Sequence, residues 1–102
     1  MDAAVYPSIL GIQEAVCGAF NCRAIDMVSD RRGRAVARPR QIAMFLARDL
    51  TRHSLPVIGR HFGNRDHTTV MHAIKVIEAM CLSDPAFKLE VDLIRVRLSE
   101  KK

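Results

Sequence analysis

The run Asn64-Arg65-Asp66-His67-Thr68-Thr69-Val70 gathers short polar side chains of the kind that read DNA base edges. An aspartate can accept from the amine of cytosine. A histidine can donate to a purine N7 or O6, or touch a thymine methyl. Thr68 offers a methyl and a hydroxyl together, and Thr69, one step round a helix, is better placed to bond a phosphate. Short side chains here also let the backbone come close to the bases. Asp and Thr are equally the ordinary chemistry of a helix start. Asp66 is therefore read either as a base contact or simply as a cap.

Such a head needs a helix to carry it and a second helix to brace it. Gly63 follows Phe62 as the residue after a helix end, and Asn64 is best able to share a left-handed corner with it. Asp66 then starts a helix on which Val70, Ala73, Ile74, Ile77 and Met80 or Cys81 keep a helical period. Upstream, Ser54 is a cap candidate for a short helix over 55–61, with Pro56 in its first turn. Two helices joined by a tight turn containing glycine form a helix-turn-helix, whose second helix enters the major groove by its N-terminal end.

The remaining chain supplies the support. Ser8 is positioned to cap a helix over 8–20 with Ile9, Ile12, Val16 and Phe20 on one face, ended by Asn21 or Cys22. A short helix over 24–28 is expected to tuck Ile25 and Val28 against it. Residues 31–40 hold five arginines and no acid. Gly33 and Pro39 argue against helix before residue 38, so this stretch reads as a basic loop. Pro39 then suits the first turn of a helix running to about residue 51 and burying Ile42, Ala43, Leu46 and Leu50. Ser83-Asp84-Pro85 separates the reading helix from a last one, with Phe87, Val91, Ile94 and Leu98 on one face. Residues 100–102 read as a polar tail. No segment alternates with period two, so the fold expected is all-α: a six-helix bundle containing a helix-turn-helix.

Composition agrees with this picture. The 102 residues allow one domain over 1–102 with a modest core, aliphatic because there are four Phe, one Tyr and no Trp. Net charge is +5, carried by 12 Arg against 4 Lys, which points to an anionic partner and to bidentate contacts with phosphate and guanine. Arginines on a loop beside a major-groove helix can reach into a narrow minor groove. Arg40, Gln41 and Arg48, on or near the start of the helix after the loop, are candidates to hold phosphates. Three cysteines without a C-x-x-C pair argue against a disulfide framework and for a reducing cytoplasm. The N-terminus lacks a basic region, and the apolar stretch after it is broken by Gln13-Glu14, which argues against a signal peptide or a membrane span.

The segments Ala37-Arg38-Pro39-Arg40-Gln41-Ile42-Ala43-Met44, Ser54-Leu55-Pro56-x-Ile58-Gly59 and Phe62-Gly63-Asn64-Arg65-Asp66-His67-Thr68-Thr69-Val70-x-His72-Ala73 closely resemble the C-terminal DNA-binding domain of the bacterial replication initiator DnaA. The resemblance covers roughly residues 8–98 and implies binding to short asymmetric DnaA boxes of the TTATCCACA type. By position it makes Arg32 the minor-groove arginine and Asp66, His67 and Thr68 the major-groove base readers. Arg40, Gln41, Arg48, Leu55, Pro56, Thr69 and His72 match positions that hold the DNA backbone or shape the contact surface, and Arg34 and Arg65 join the backbone set. The family usually has Gly-Gly-Arg-Asp where this chain has Gly63-Asn64-Arg65-Asp66. Asparagine tolerates a left-handed backbone, so the turn should survive.

No phosphate-cradling G-x-x-x-x-G-K-[ST] occurs, so neither a nucleotide nor an ATPase motor is expected in this chain. His53, His61, His67 and His72 suggest no metal site, because His67 and His72 stand five apart and leave different helix faces. No Ser-His-Asp set or paired carboxylates stand out, and no cofactor is expected. Met27, Met44, Met71 and Met80 read as core filler. The expected function is therefore sequence-specific binding of double-stranded DNA, as a cytoplasmic, nucleoid-associated replication or transcription regulator and not an enzyme. The alternative is a protein-interaction module that binds an initiator or another regulator, with vestigial DNA contact. Met1 argues for a natural start, and the excised end of a longer initiator stays open as a third reading.

Overall fold

The computed structural model describes residues 7–100, so residues 101 and 102 of the expected polar tail lie outside the described residues. Helix α1 (Ile9–Phe20) begins where the Ser8 hydroxyl accepts from the Gly11 amide at 2.9 Å. It buries Ile9, Ile12 and Val16, and it ends at Asn21 in the left-handed conformation. Helices α2 (Arg34–Leu50), α3 (Leu55–His61), α4 (His67–Ser83) and α5 (Pro85–Glu100) follow. A single 3-10 turn, Ala24–Met27, lies between α1 and α2. Among the described residues there is no strand. Among the described residues the six expected helices are thus five α-helices and this one turn.

One core joins all the elements. Val70, Ala73, Ile74 and Ile77 of α4 meet Ile42, Ala43, Leu46 and Ala47 of α2, with Phe87, Val91, Ile94 and Leu98 closing the far side from α5. Arg95 fastens α5 to α2, its Nε 3.0 Å from the Asp49 carboxylate and its guanidinium 5.9 Å from the Phe45 ring centre. Met27 and Met44 are core side chains as expected, but Met71 is exposed on α4. No helix among the described residues is long and apolar enough to cross a membrane.

Two expectations are corrected. Ile25 and Val28 do not tuck inward; they are 59% and 43% exposed, while Asp26 and Met27 are buried. The reason lies in the tighter winding, which stacks positions three apart on one side. Ile25 and Val28 share that outer side. Inside, an Asp26 carboxylate oxygen accepts from the Arg23 amide at 3.0 Å, closing the turn on itself.

The second correction concerns the start of α2, which begins at Arg34 and carries Pro39 as its sixth residue. The Gly33 carbonyl nucleates the extra turn, accepting from Val36 at 2.9 Å and Ala37 at 2.8 Å. Proline removes only its own amide from the ladder, which would have served the Ala35 carbonyl. Ala35 is exposed, so water can take that carbonyl, and the proline ring gains burial in exchange. The basic loop is correspondingly shorter, and Arg34 belongs to a helix.

Candidate nucleic-acid interface

The turn between α3 and α4 folds back on the helix before it. Phe62, wholly buried, pins the end of α3 into the core. Gly63 and Asn64 then take φ values of 82° and 60°. Glycine enters this left-handed region freely, and asparagine is one of the few other residues that tolerates it. The corner returns the Arg65 amide to the Gly59 carbonyl, a bond of 2.9 Å. That closeness demands glycine at 59, because a β-carbon there would stand 2.1 Å from the Arg65 carbonyl oxygen. At Gly63 a β-carbon would stand 2.4 Å from the Val28 carbonyl oxygen, so the turn also abuts the segment leading to the arginine loop.

Asp66 ends the turn as the cap of α4. Its Oδ2 accepts from the Thr68 amide at 3.1 Å and also from the Thr68 hydroxyl. These bonds hold the Asp66 carboxyl below its ordinary range. Oδ1 faces the His67 ring, 3.6 Å from Nδ1, and is not used by the cap. One carboxylate can thus close the helix start and still present an acceptor. Asp66, His67, Thr68 and Thr69 are all exposed, with buried Val70 anchoring the turn behind them.

A pH prediction follows from the depressed Asp66 value. A carboxyl that titrates lower when folded adds stability above its unfolded value, near 4, and loses it as pH falls through the folded value. The stability gap between wild type and Asp66→Ala should be steady from about pH 6 to 8 and shrink toward pH 3. Urea midpoints across that range measure it; a gap constant down to pH 3 would rule out the charged cap.

The arginine loop is fixed from beneath by two of its neighbours. Arg40 is only 5% exposed. Its Nε and Nη2 donate to the Asp26 carbonyl at 3.2 and 3.0 Å, and Nη2 also reaches the Arg31 carbonyl at 3.0 Å and the Ser29 hydroxyl at 3.4 Å. From the other side the Arg65 guanidinium donates to the Ser29 and Phe62 carbonyls. Burial, and for Arg40 also the charge of Arg65, lowers the pKa of both guanidiniums. These bonds hold the loop against the turn, a positioning role beside the phosphate contact expected of the two arginines. Arg32, the next residue after the tethered Arg31 carbonyl, is left exposed.

Comparison with known proteins decides the family. Residues 9–77 match the family described as the bacterial dnaA protein helix-turn-helix. The chain belongs to that family. It is 56% identical over 84 residues to the chromosomal replication initiator protein DnaA of Gluconobacter oxydans, covering 82% of this chain and 18% of the relative. The DnaA of Sphingopyxis alaskensis is 51% identical over 88 residues, covering 86% and 19%. A solved structure titled as a DNA replication initiation factor superposes with a TM-score of 0.81 at 33% identity, over 90% of this chain and 28% of that one. The chain thus spans less than a fifth of the length of these DnaA relatives. What it carries is their DNA-binding helix-turn-helix.

The other residues that the DnaA resemblance singled out fall around this frame. His72 is exposed on α4, one turn beyond Thr68 and Thr69. Leu55 is half-buried and Pro56 exposed in the first turn of α3, behind the Ser54 cap. Arg34 is exposed in the first turn of α2, and Gln41 is half-buried, accepting from Arg38 Nη1 at 3.0 Å. Arg48 is not near the start of α2; it stands in the last turn, lining a groove with Met71 and Lys75 of α4. Among the described residues no three His, Cys, Asp or Glu side chains converge as a metal site. Gly59, Asp26 and Ser29 are positioning residues outside the expected site set. For Gly59 a signal existed, since glycine within a short helix before a turn marks close backbone approach. Asp26 and Ser29 gave none, because their partners lie 14 and 36 residues away.

Proposed function

We propose that this chain is a sequence-specific reader of double-stranded DNA that occupies DnaA-box-like sites as a regulator of replication or transcription, without ATPase activity of its own. Asp66, His67 and Thr68 take the base edges of the major groove, and Arg32 enters the neighbouring minor groove. Thr69, His72, Arg34, Gln41, Arg48, Leu55 and Pro56 hold or shape the DNA backbone contact. The observation that carries this reading is the exposed first turn of α4, where one Asp66 oxygen serves the cap and the other is left beside His67. Membership of the DnaA family and the exposed Arg32 beside the fixed turn support it.

Fluorescence anisotropy on a box duplex against a scrambled duplex is the test. The box should bind more tightly, and log affinity should fall with log salt at a slope of roughly −5 to −7 if about five to eight phosphates are neutralised. Thr68→Ala or His67→Ala should cost ~1–3 kcal/mol on the box and much less on the scrambled duplex. Equal affinity of the wild-type chain for both duplexes would sink the specificity. Absence of any shift, with a protein pull-down that survives high salt, would move the function to the interaction class.

A further inference from the structure

The end of α1 is closed by a backbone motif that brings two cysteines together. Asn21 adopts the left-handed conformation, its amide reaches the Cys17 carbonyl, and the Cys22 amide reaches the same carbonyl at 3.1 Å. Reversing the chain in this way places a side chain of the last helical turn against the residue immediately after the left-handed one. In helices closed this way two apolar groups frequently meet there. Here both positions are cysteine, and the Cys22 thiol donates to the Cys17 sulfur at 3.0 Å. Neither thiol is bonded in a disulfide, and both residues are only half-buried.

We propose that Cys17 and Cys22 form a thiol–disulfide exchange site whose substrate is a small-molecule disulfide of the glutathione type. One cysteine, as thiolate, attacks a sulfur of the substrate and releases one small thiol, leaving a mixed disulfide on the protein. The second cysteine displaces the other small thiol and closes the Cys17–Cys22 bond. Two protein S–H groups and one disulfide thus become one protein S–S bond and two small thiols, with the protein oxidised and the substrate reduced. The sulfurs need only close from 3.0 Å to about 2.05 Å, with the backbone already turned to bring them together. Burial and the Cys22 contact push the Cys17 thiol up to about 12, which disfavours Cys17 as the attacking thiolate and leaves the first attack to Cys22. The ring would fix the corner that leads into the 3-10 turn, whose Asp26 carbonyl receives Arg40.

The wild-type chain suffices for the test, because trypsin cleaves after Arg23 and so releases both cysteines on one peptide, apart from Cys81. The folded protein is equilibrated across ratios of reduced to oxidised glutathione, quenched in acid, alkylated and mapped by mass. The peptide over 1–23 is expected to lose both labels together and to weigh two hydrogens less. The equilibrium constant for closing the ring should exceed that of the chain unfolded in guanidinium by at least about tenfold, a gap of about 1.4 kcal/mol. Equal constants in the two states would overturn the proposal. So would accumulation of a glutathione adduct on that peptide without ring closure, or full labelling of both cysteines at every ratio. None of these readouts involves DNA.

Discussion

Alanine at Gly59 should lower the stability of the domain by about 3 kcal/mol and remove its preference for a box duplex. The added β-carbon would sit 2.1 Å from the Arg65 carbonyl oxygen and 3.5 Å from a methyl of Val70. A flexible side chain could swing away from such a contact, but a backbone carbonyl cannot. Relief requires the turn to lift from α3, breaking the 2.9 Å bond from the Arg65 amide to the Gly59 carbonyl. Asp66 to Thr69 ride on that turn, so the reading surface moves with it. Gly18→Ala provides the contrast, because nothing lies within 4 Å of a β-carbon placed there. Glycine inside a helix costs roughly 0.5–1 kcal/mol relative to alanine, so Gly18→Ala should stabilise by about that amount. Guanidinium midpoints and anisotropy on the two duplexes read both variants. A Gly59→Ala chain with the wild-type midpoint and selectivity would show that the turn does not pack on α3 as described.

The contrast between these glycines illustrates what the sequence could and could not convey. Local signals suffice where the partner lies within a turn or two along the chain. Ser8, Ser54 and Asp66 each cap the helix they precede, and the period of Phe87, Val91, Ile94 and Leu98 marks the buried face of α5. Gly63 and Asn64 take the left-handed corner that their types allow. The sequence misleads where two local rules compete or where the partner is remote. Pro39 suits a helix start, but a proline one turn further in is tolerated when the carbonyl it orphans is open to water. Apolar character points Ile25 and Val28 inward, yet the turn's period and the inward Asp26 decide otherwise. Arginine in a basic stretch is ambiguous in the same way. Nothing in residues 31–40 separates an arginine that faces DNA from one that anchors the loop, and only packing assigns Arg32 to the surface and Arg40 to the interior.

That division of labour yields the other large effect. Arg40→Ala should cost about 2–4 kcal/mol of stability, because it leaves the Asp26 and Arg31 carbonyls without the donors that now satisfy them. Arg40→Lys should recover only part of this, since one ammonium cannot reproduce a planar fork that bridges two carbonyls and the Ser29 hydroxyl. The consequence for DNA binding separates two roles. If Arg40 positions the loop, Arg40→Ala and Arg32→Ala should lose the same discrimination between the box and a duplex altered at its minor-groove A·T pairs. The double variant should then lose little more than either single one, the non-additivity expected of residues acting through one contact. If Arg40 instead holds a phosphate directly, its removal should weaken every duplex alike and reduce the salt slope by about one. Its burial beneath Arg31, with Arg65 closing the loop from the opposite side, favours the first outcome. Additive losses in the cycle would return Arg40 to the phosphate backbone.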